Sequence, residues 1–294
     1  MRSELNWAGN HTYRATRLAF PRSLAGLQEL VASAPKLRAL GSRHSFNDLA
    51  DSAGVLVSLE NLPSGMVVDG AAGTVSVGGG TRYGVLAHEL QRRGYALHNL
   101  ASLPHISVAG AVATATHGSG DANGNLATAV VGMDLILASG ELLSVQRDIT
   151  DDFDGMVVGL GALGIVSSLT LRIEPAFDVR QDVFTDIPWR DVLADFDAAT
   201  SSAYSVSFFT DWRSDVISQA WLKSRTDAPG SAAEADALEL LYPRWSDFRV
   251  LAERLDPERK FRNDFLERKV FTGARHPVSA SGRATASAPG SAVG

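Results

Sequence analysis

Two stretches of small residues constrain this chain more than anything else in it. The first is the turn Gly41-Ser42-Arg43-His44-Ser45-Phe46-Asn47, which follows directly on a strand-like run at 36–40. The second, residues 101–120, reads ASLPHISVAGAVATATHGSG. Where large side chains are missing for several residues, backbone can approach another surface closely, and Gly reaches conformations closed to other residues. Either stretch alone reads equally as a tight packing turn. As a pair in this order, they point to a flat or phosphorylated cofactor.

Composition removes several alternatives. A chain of 294 residues, 45% of them hydrophobic, can bury the core of one large domain or two smaller ones. The formal net charge is -6 and no run of Lys or Arg stands out, so nucleic acid is not expected as a partner. Cysteine is lacking altogether, which excludes disulfides, thiolate nucleophiles and Cys-ligated metals. Apolar runs fall short of the about 18 residues a transmembrane helix needs. The opening MRSELNWAGNHTY has no apolar stretch of the kind that directs secretion. Asn10-His11-Thr12 fits a glycosylation sequon, but without such a signal it reads as ordinary surface. A monomeric, cytoplasmic protein is expected.

Local patterning gives a mixed architecture. Leu24, Leu27, Leu30 and Val31 recur at helical spacing behind Ser23, a residue suited to cap a helix. Residues 54–59 read as a strand, and 66–68 with 74–77 as a hairpin around Asp69-Gly70-Ala71-Ala72-Gly73. Gly78-Gly79-Gly80 leads to Thr81 as the expected cap of a helix carrying Val85, Leu86 and Leu90. A second hairpin, 130–138 with 141–145, turns at Ser139-Gly140, and 165–173 is a strong strand between Gly164 and Pro175. Further on, 189–199 is helix-like, while 204–209 and 216–222 are strand-like. Strands and helices mix without strict alternation, so the fold class is α+β. Residues 226–237 are a small-residue linker, 238–270 read as a helix with Leu241, Trp245, Phe248 and Leu251 on one side, and 271–294 have the composition of a disordered tail.

Most motif-like features carry no chemistry. Gly159-Leu160-Gly161-Ala162-Leu163-Gly164 matches a dinucleotide fingerprint in letters, but a β-rich run follows where that fingerprint needs a helix. The histidines form no i, i+4 pair beside carboxylates, so no metal site is expected. His11 and His276 fall in ends read as mobile, His88 and His98 as ordinary surface or core residues, and His105 as a satisfied buried group. No Gly-x-Ser-x-Gly elbow is present, against a hydrolase nucleophile. His44 differs through its neighbours. Its Gly-Ser-Ser loop offers backbone N–H donors to a pyrophosphate, Arg43 adds charge, and imidazole can bond covalently to an electrophilic carbon. Ser107 reads as a helix start within the second stretch.

The residues here resemble the FAD-dependent oxidases of the vanillyl-alcohol oxidase superfamily, alditol oxidases most closely. The resemblance rests on Asn6-Trp7-Ala8-Gly9-Asn10, both small-residue stretches, Thr210-Asp211-Trp212-Arg213, Trp221-Leu222-Lys223 and Leu241-Tyr242-Pro243-Arg244, and resumes at Asp256-Pro257, Lys260-Phe261 and Asn263. It implies a two-subdomain, PCMH-type FAD-binding domain at 1–175 with a truncated substrate cap at 176–225, and a helical segment at 238–270 returning to the FAD domain. It also implies FAD held covalently through His44, with contacts at Ala39, Leu40, Gly41, Ser42, Arg43, Ser45, Ser102, Ser107, Gly110, Thr114, Ala115, Thr116, His117 and Ile165. Small Ala101 would leave oxygen a path to the flavin. Many superfamily members carry Gly where this chain has Arg43.

The implied chemistry is oxidation of a terminal hydroxyl of a small polyol, with hydride passing to flavin and dioxygen giving hydrogen peroxide. A sugar-derived substrate, as in a D-arabinono-1,4-lactone type oxidase, is the alternative. The family's long substrate segments are not found after Lys223, so catalytic residues on the substrate side stay unassigned. A flavin-binding protein with little turnover, and a scaffold whose small turns merely pack, remain as other readings.

Overall fold

In the computed structural model the described residues are 5–63 and 65–226, all within one compact unit, Met1–Pro229. They begin β1 (Arg17–Ala19), α1 (Leu24–Ser33), β2 (Leu37–Ala39), β3 (Val55–Val57), β4 (Val67–Asp69) and β5 (Thr74–Gly78). There follow α2 (Tyr83–Arg92), β6 (Tyr95–Ala96), α3 (Val108–Ala113), β7 (Val130–Ile136), β8 (Leu142–Gln146) and α4 (Phe153–Val157). The rest is β9 (Ile165–Arg172), β10 (Glu174–Pro175), β11 (Asp178–Pro188), α5 (Trp189–Ala194), α6 (Phe196–Thr200), β12 (Ser205–Phe209) and β13 (Val216–Thr226). The class is α+β. No helix among the described residues is long and apolar enough to cross a membrane.

Three larger sheets organise these elements, beside a two-stranded antiparallel pair of β10 and β6. A parallel sheet of order β1-β3-β2 carries the His44 turn at the end of β2. An antiparallel sheet of order β4-β5-β9-β7-β8 forms the centre, and a third, β11-β13-β12, stands apart in sequence. Strand alternation explains the central sheet: Ile165, Ser167, Leu169 and Leu171 of β9 are buried, and the residues between them are less so. On that face Tyr83, Leu86 and Leu90 of α2 and Val108, Ala111 and Val112 of α3 share one core with Val75, Val77, Leu169 and Leu171. Leu27 and Val31 of α1 close a second core with Val57, Leu59, Ile136 and Ile165, which joins the parallel sheet to the central one.

Local chemistry sets most boundaries. Ser23 Oγ accepts from Gly26 N at 3.1 Å and caps α1. Asp69 Oδ1 accepts from Ala71 N and Ala72 N at 3.0 and 2.9 Å, and Gly73 at φ +63° completes the β4–β5 hairpin. At the β7–β8 turn Gly140 has φ +86°, and a Cβ there would lie 2.7 Å from Gln28 O of α1. The Gly159–Gly164 segment runs from α4 into β9, so a strand follows those glycines and no helix is presented to a phosphate.

Five readings of the sequence need correction. α2 is capped by Arg82 without a side-chain bond, not by Thr81; the backbone at 79–84 is instead used to bind residues 104–109. The helical run 189–199 breaks at Asp195 (φ -150°, ψ 78°), whose carboxylate caps a separate α6. β13 continues through Thr226, because its partner β11 is equally long and pairs Asp178 with Thr226. His11 is no mobile end: its Nε2 lies 3.4 Å from Asp51 Oδ2, in ion-pair range. His105 is buried at Nε2 without a partner among the described residues, not satisfied. The expected linker after Thr226, the helix at 238–270, the tail and His276 lie outside the described residues.

Leu169 is fully buried at the centre of the principal core. Replacing it with Ala removes several methyl-group contacts and leaves a cavity, so Leu169→Ala should lower stability by about 2–5 kcal/mol. Urea unfolding followed by circular dichroism checks this; a loss below about 1 kcal/mol would contradict the packing described.

Candidate FAD site

The two small-residue stretches meet. Leu40 N donates to Val57 O at 2.8 Å, so β2 delivers the chain into the turn at the end of the parallel sheet. Residues 104–109 are held by the backbone after β5: Gly84 N donates to Pro104 O, Tyr83 N to Ile106 O and Val108 N to Thr81 O, at 2.6, 3.0 and 2.8 Å. That ladder brings Ser107 against the turn, where its N–H donates to Ser42 Oγ at 3.2 Å. A Cβ on Gly41 would lie 2.6 Å from Ser107 Oγ and 3.9 Å from Gly110 Cα, and one on Gly110 would lie 2.7 Å from the same hydroxyl. Both glycines leave room for the Ser107 hydroxyl in its present rotamer, and a side chain at either would have to turn it away.

Arg43 sits in the left-handed region at φ +65°. This is the backbone reason why a Gly suits its position, and a non-Gly residue there costs roughly 1–2 kcal/mol that other contacts must offset. Trp7 N donates to Arg43 O at 2.8 Å. The His44 ring then lies 4.4 Å from that of His105 and 4.9 Å from that of Trp7, centroid to centroid. Arg82 donates from its guanidinium to His105 O. Burial, then the neighbouring His105 and Arg82, depress the pKa of His44. The sign favours the neutral imidazole, which keeps a lone pair to lower pH than an ordinary histidine would.

Three buried polar atoms here are left open by the described residues. Ser107 Oγ, His44 Nε2 and His105 Nε2 are buried without a hydrogen-bond partner among the described residues. Buried polar atoms are normally bonded, and exceptions cluster where a ligand completes the set. A cofactor with a pyrophosphate and a flat ring fits this arrangement: backbone exposed by glycine on two sides, a hydroxyl donor and a neutral imidazole. No group of three or more His, Cys, Asp or Glu capable of holding a metal exists among the described residues.

Other residues singled out from the sequence fall around this centre at varying depth. Thr114 Oγ1 accepts or donates with Thr116 Oγ1 at 3.2 Å and bonds Gly110 O at 3.2 Å, which ties the end of α3 to its glycine. Ala115 has φ +51°, and exposed His117 bonds the Gly118 carbonyl through Nδ1 at 2.8 Å. Ser102 is exposed. Ala39 packs toward the second core and Ile165 is buried within it. Ser45 offers its carbonyl to Asn6 Nδ2 at 2.9 Å. Sequence reasoning missed Asn6, Trp7, Arg82 and the partnership of His105 with His44. Only the Asn-Trp-Ala-Gly-Asn run carried a signal for the first two.

Comparison with known proteins agrees with the geometry. Residues 15–146 match the family model described as FAD binding domain. The chain is 49% identical to the alditol oxidase of a Streptomyces species over 225 residues, 76% of this chain and 54% of that protein. It is 37% identical to the L-gulono-1,4-lactone dehydrogenase of Mycobacterium tuberculosis over 60% of this chain and 42% of that one. The chain thus spans about half the length of the curated relatives it matches, 54% and 42%. Among solved structures, a variant of cholesterol oxidase from Brevibacterium sterolicum superimposes with a TM-score of 0.69 at 18% identity, over 88% of this chain and 55% of that chain, which shows a shared PCMH-type fold. The glycine-lined meeting of two loops on a histidine thus lies inside a matched FAD binding domain, in a chain 49% identical over 225 residues to an alditol oxidase.

Proposed function

We propose that the chain is the FAD-holding part of an oxidase acting on a CH–OH group of a small polyol, with the cofactor bonded covalently to His44. One observation carries this reading: Gly41 and Gly110 expose backbone on either side of Ser107 Oγ, beside His44 Nε2, and both atoms are buried without a partner among the described residues. Bound FAD would supply the hydride acceptor, reoxidised by dioxygen to give hydrogen peroxide. The chain's own work is to hold the pyrophosphate on the backbone at 41–45 and 107–110 and to keep the His44 imidazole neutral and aimed. Similarity to a mycobacterial lactone dehydrogenase supports a second substrate class, a sugar-derived lactone. In domain terms we take 1–175 as the FAD-binding part and the separate β11-β13-β12 sheet as the cap remnant, in a monomer acting in the cytoplasm.

Covalent attachment is tested by denaturing the purified protein in acid. Wild-type flavin should stay with the precipitate, and His44→Ala should release all of it. Complete release from the wild type would reject the bond. A second variant tests the cradle: Gly110→Val places a β-branched side chain against Ser107 Oγ and should lose at least about tenfold in flavin occupancy, since more than about 1.4 kcal/mol of cofactor contact disappears. It should remain soluble, and normal occupancy would show that the segment only packs.

Substrate turnover depends on more than the cofactor. Removal of hydride from a carbinol carbon requires that its proton be accepted and its carbon be held against the ring. The match to alditol oxidase covers 54% of that protein. The polypeptide tested on its own should therefore carry FAD that dithionite bleaches at once, while xylitol in anaerobic solution bleaches it slowly. Rapid bleaching by xylitol would show that these residues already complete a substrate site.

A further inference from the structure

The segment around Asn6 forms a clasp on the histidine turn, and nothing in the cofactor reading assigns it a role. Asn6 is buried, an unusual place for a side-chain amide unless its bonds are made. They are. Its Nδ2 donates to Ser45 O at 2.9 Å and to Asn10 Oδ1 at 2.6 Å, and its Oδ1 accepts from His11 N at 3.1 Å. Asn6 N donates to His11 O at 3.0 Å, and Asn6 O accepts from Gly9 N at 3.1 Å, which closes residues 6–11 into a compact hook. From that hook, Trp7 N reaches Arg43 O at 2.8 Å and Asn10 Nδ2 reaches Phe46 O at 3.0 Å. Three carbonyls flanking His44, on Arg43, Ser45 and Phe46, are thus held by one hook. The Trp7 ring lies over the His44 ring at 4.9 Å although the indole itself is 60% exposed.

We propose that Asn6 is a positioning residue for His44: it locks the strained turn through the Ser45 carbonyl and sets the Trp7 ring over the imidazole. The physical need is clear. Arg43 at φ +65° would relax toward ordinary backbone if its neighbours were not held. Relaxation would swing His44 away from where it must meet the cofactor, and misplacement of about 1 Å can cost on the order of 10²-fold in rate. Asn is specified because the site needs a double donor on one side and an acceptor on the other. A carboxylate of the same shape would set an oxygen against the Ser45 and Asn10 oxygens. This inference rests on His44 as the flavin anchor only for its rate consequence; the geometry of the turn is independent of it.

The test uses the full chain with Asn6→Ala, Asn6→Asp and the exposed Asn10→Ala, which guards against a variant that fails to fold. Two quantities are read: the rate at which added FAD becomes acid-stable on the protein, and the His44 ring resonance in histidine-labelled NMR spectra, assigned through His44→Ala. In the wild type the neighbouring Trp7 ring, tilted 30° to the imidazole, should displace that resonance. Asn6→Ala and Asn6→Asp should both lose the displacement and slow covalent attachment at least about tenfold while still binding FAD, with Asn10→Ala moving both in the same direction. An unchanged resonance in Asn6→Ala would overturn the proposal, as would wild-type behaviour in Asn6→Asp, which would make Asn6 a space-filling residue. If wild-type FAD is wholly released by acid, the covalent reading fails and the resonance alone decides the clasp.

Discussion

Ser107 Oγ lies where a side chain on either Gly41 or Gly110 would stand, and the site is built around that crowding. The hydroxyl keeps this place because both positions lack a Cβ, with approaches of 2.6 and 2.7 Å to it. A methyl group at either would turn the Ser107 hydroxyl out of its present position between the histidine turn and the 107–110 segment. The neighbouring ladder from 79–84 to 104–109 serves the same end, since it holds the second segment in register with the end of β5. Gly79 is part of it: a Cβ there would meet Val166 O at 2.2 Å. Close packing of backbone on backbone therefore runs from β9 through residues 79–84 to the turn.

Electrostatics act on top of this packing. Burial beside a second histidine and an arginine holds His44 neutral, the form in which a ring nitrogen can bond to an electrophile. Farther from the centre, burial pulls Asp51 toward the protonated form, but bonds from Arg14 and Ser52 with the charge of Arg14 outweigh it and keep the carboxylate ionised. That group fastens residues 11–14 to the loop before β3, with Arg14 N and Nε on its two oxygens at 2.9 and 2.8 Å. The segment that carries Asn6 and Trp7 is thereby anchored at both ends, on Asp51 and on the His44 turn.

The third sheet is tied to the same loops by polar contacts of a different kind. Asn123 Nδ2 donates to Ser119 O and Tyr204 O, both at 3.0 Å, and Gly120 at φ +110° has no room for a side chain beside Tyr204 O. Arg225 stacks over Phe177 at 3.6 Å and pairs with Glu174 at 3.1 Å. The end of the second small-residue stretch is therefore shared between the cofactor side and the β11-β13-β12 sheet. This explains why that stretch stays small well beyond the residues that face His44.

Much of the fold was legible because it is local. Ser23 caps what it precedes, Asp69 and Gly140 turn the chain where they stand, and the alternation in β9 reads directly as one buried face. The small-residue stretches announced a close approach for the same reason, since the lack of a side chain is visible in the sequence itself. What met what was not legible. Asn6 and Ser45 are far apart in the chain, and nothing in their spacing says that a buried amide will find that carbonyl. His105 looked like any buried histidine until the ladder from 79–84 set its ring 4.4 Å from that of His44. Periodicity and turn chemistry act over a few residues, whereas the partner of a buried polar group is chosen by packing between distant segments, and only the assembled tertiary structure decides that choice.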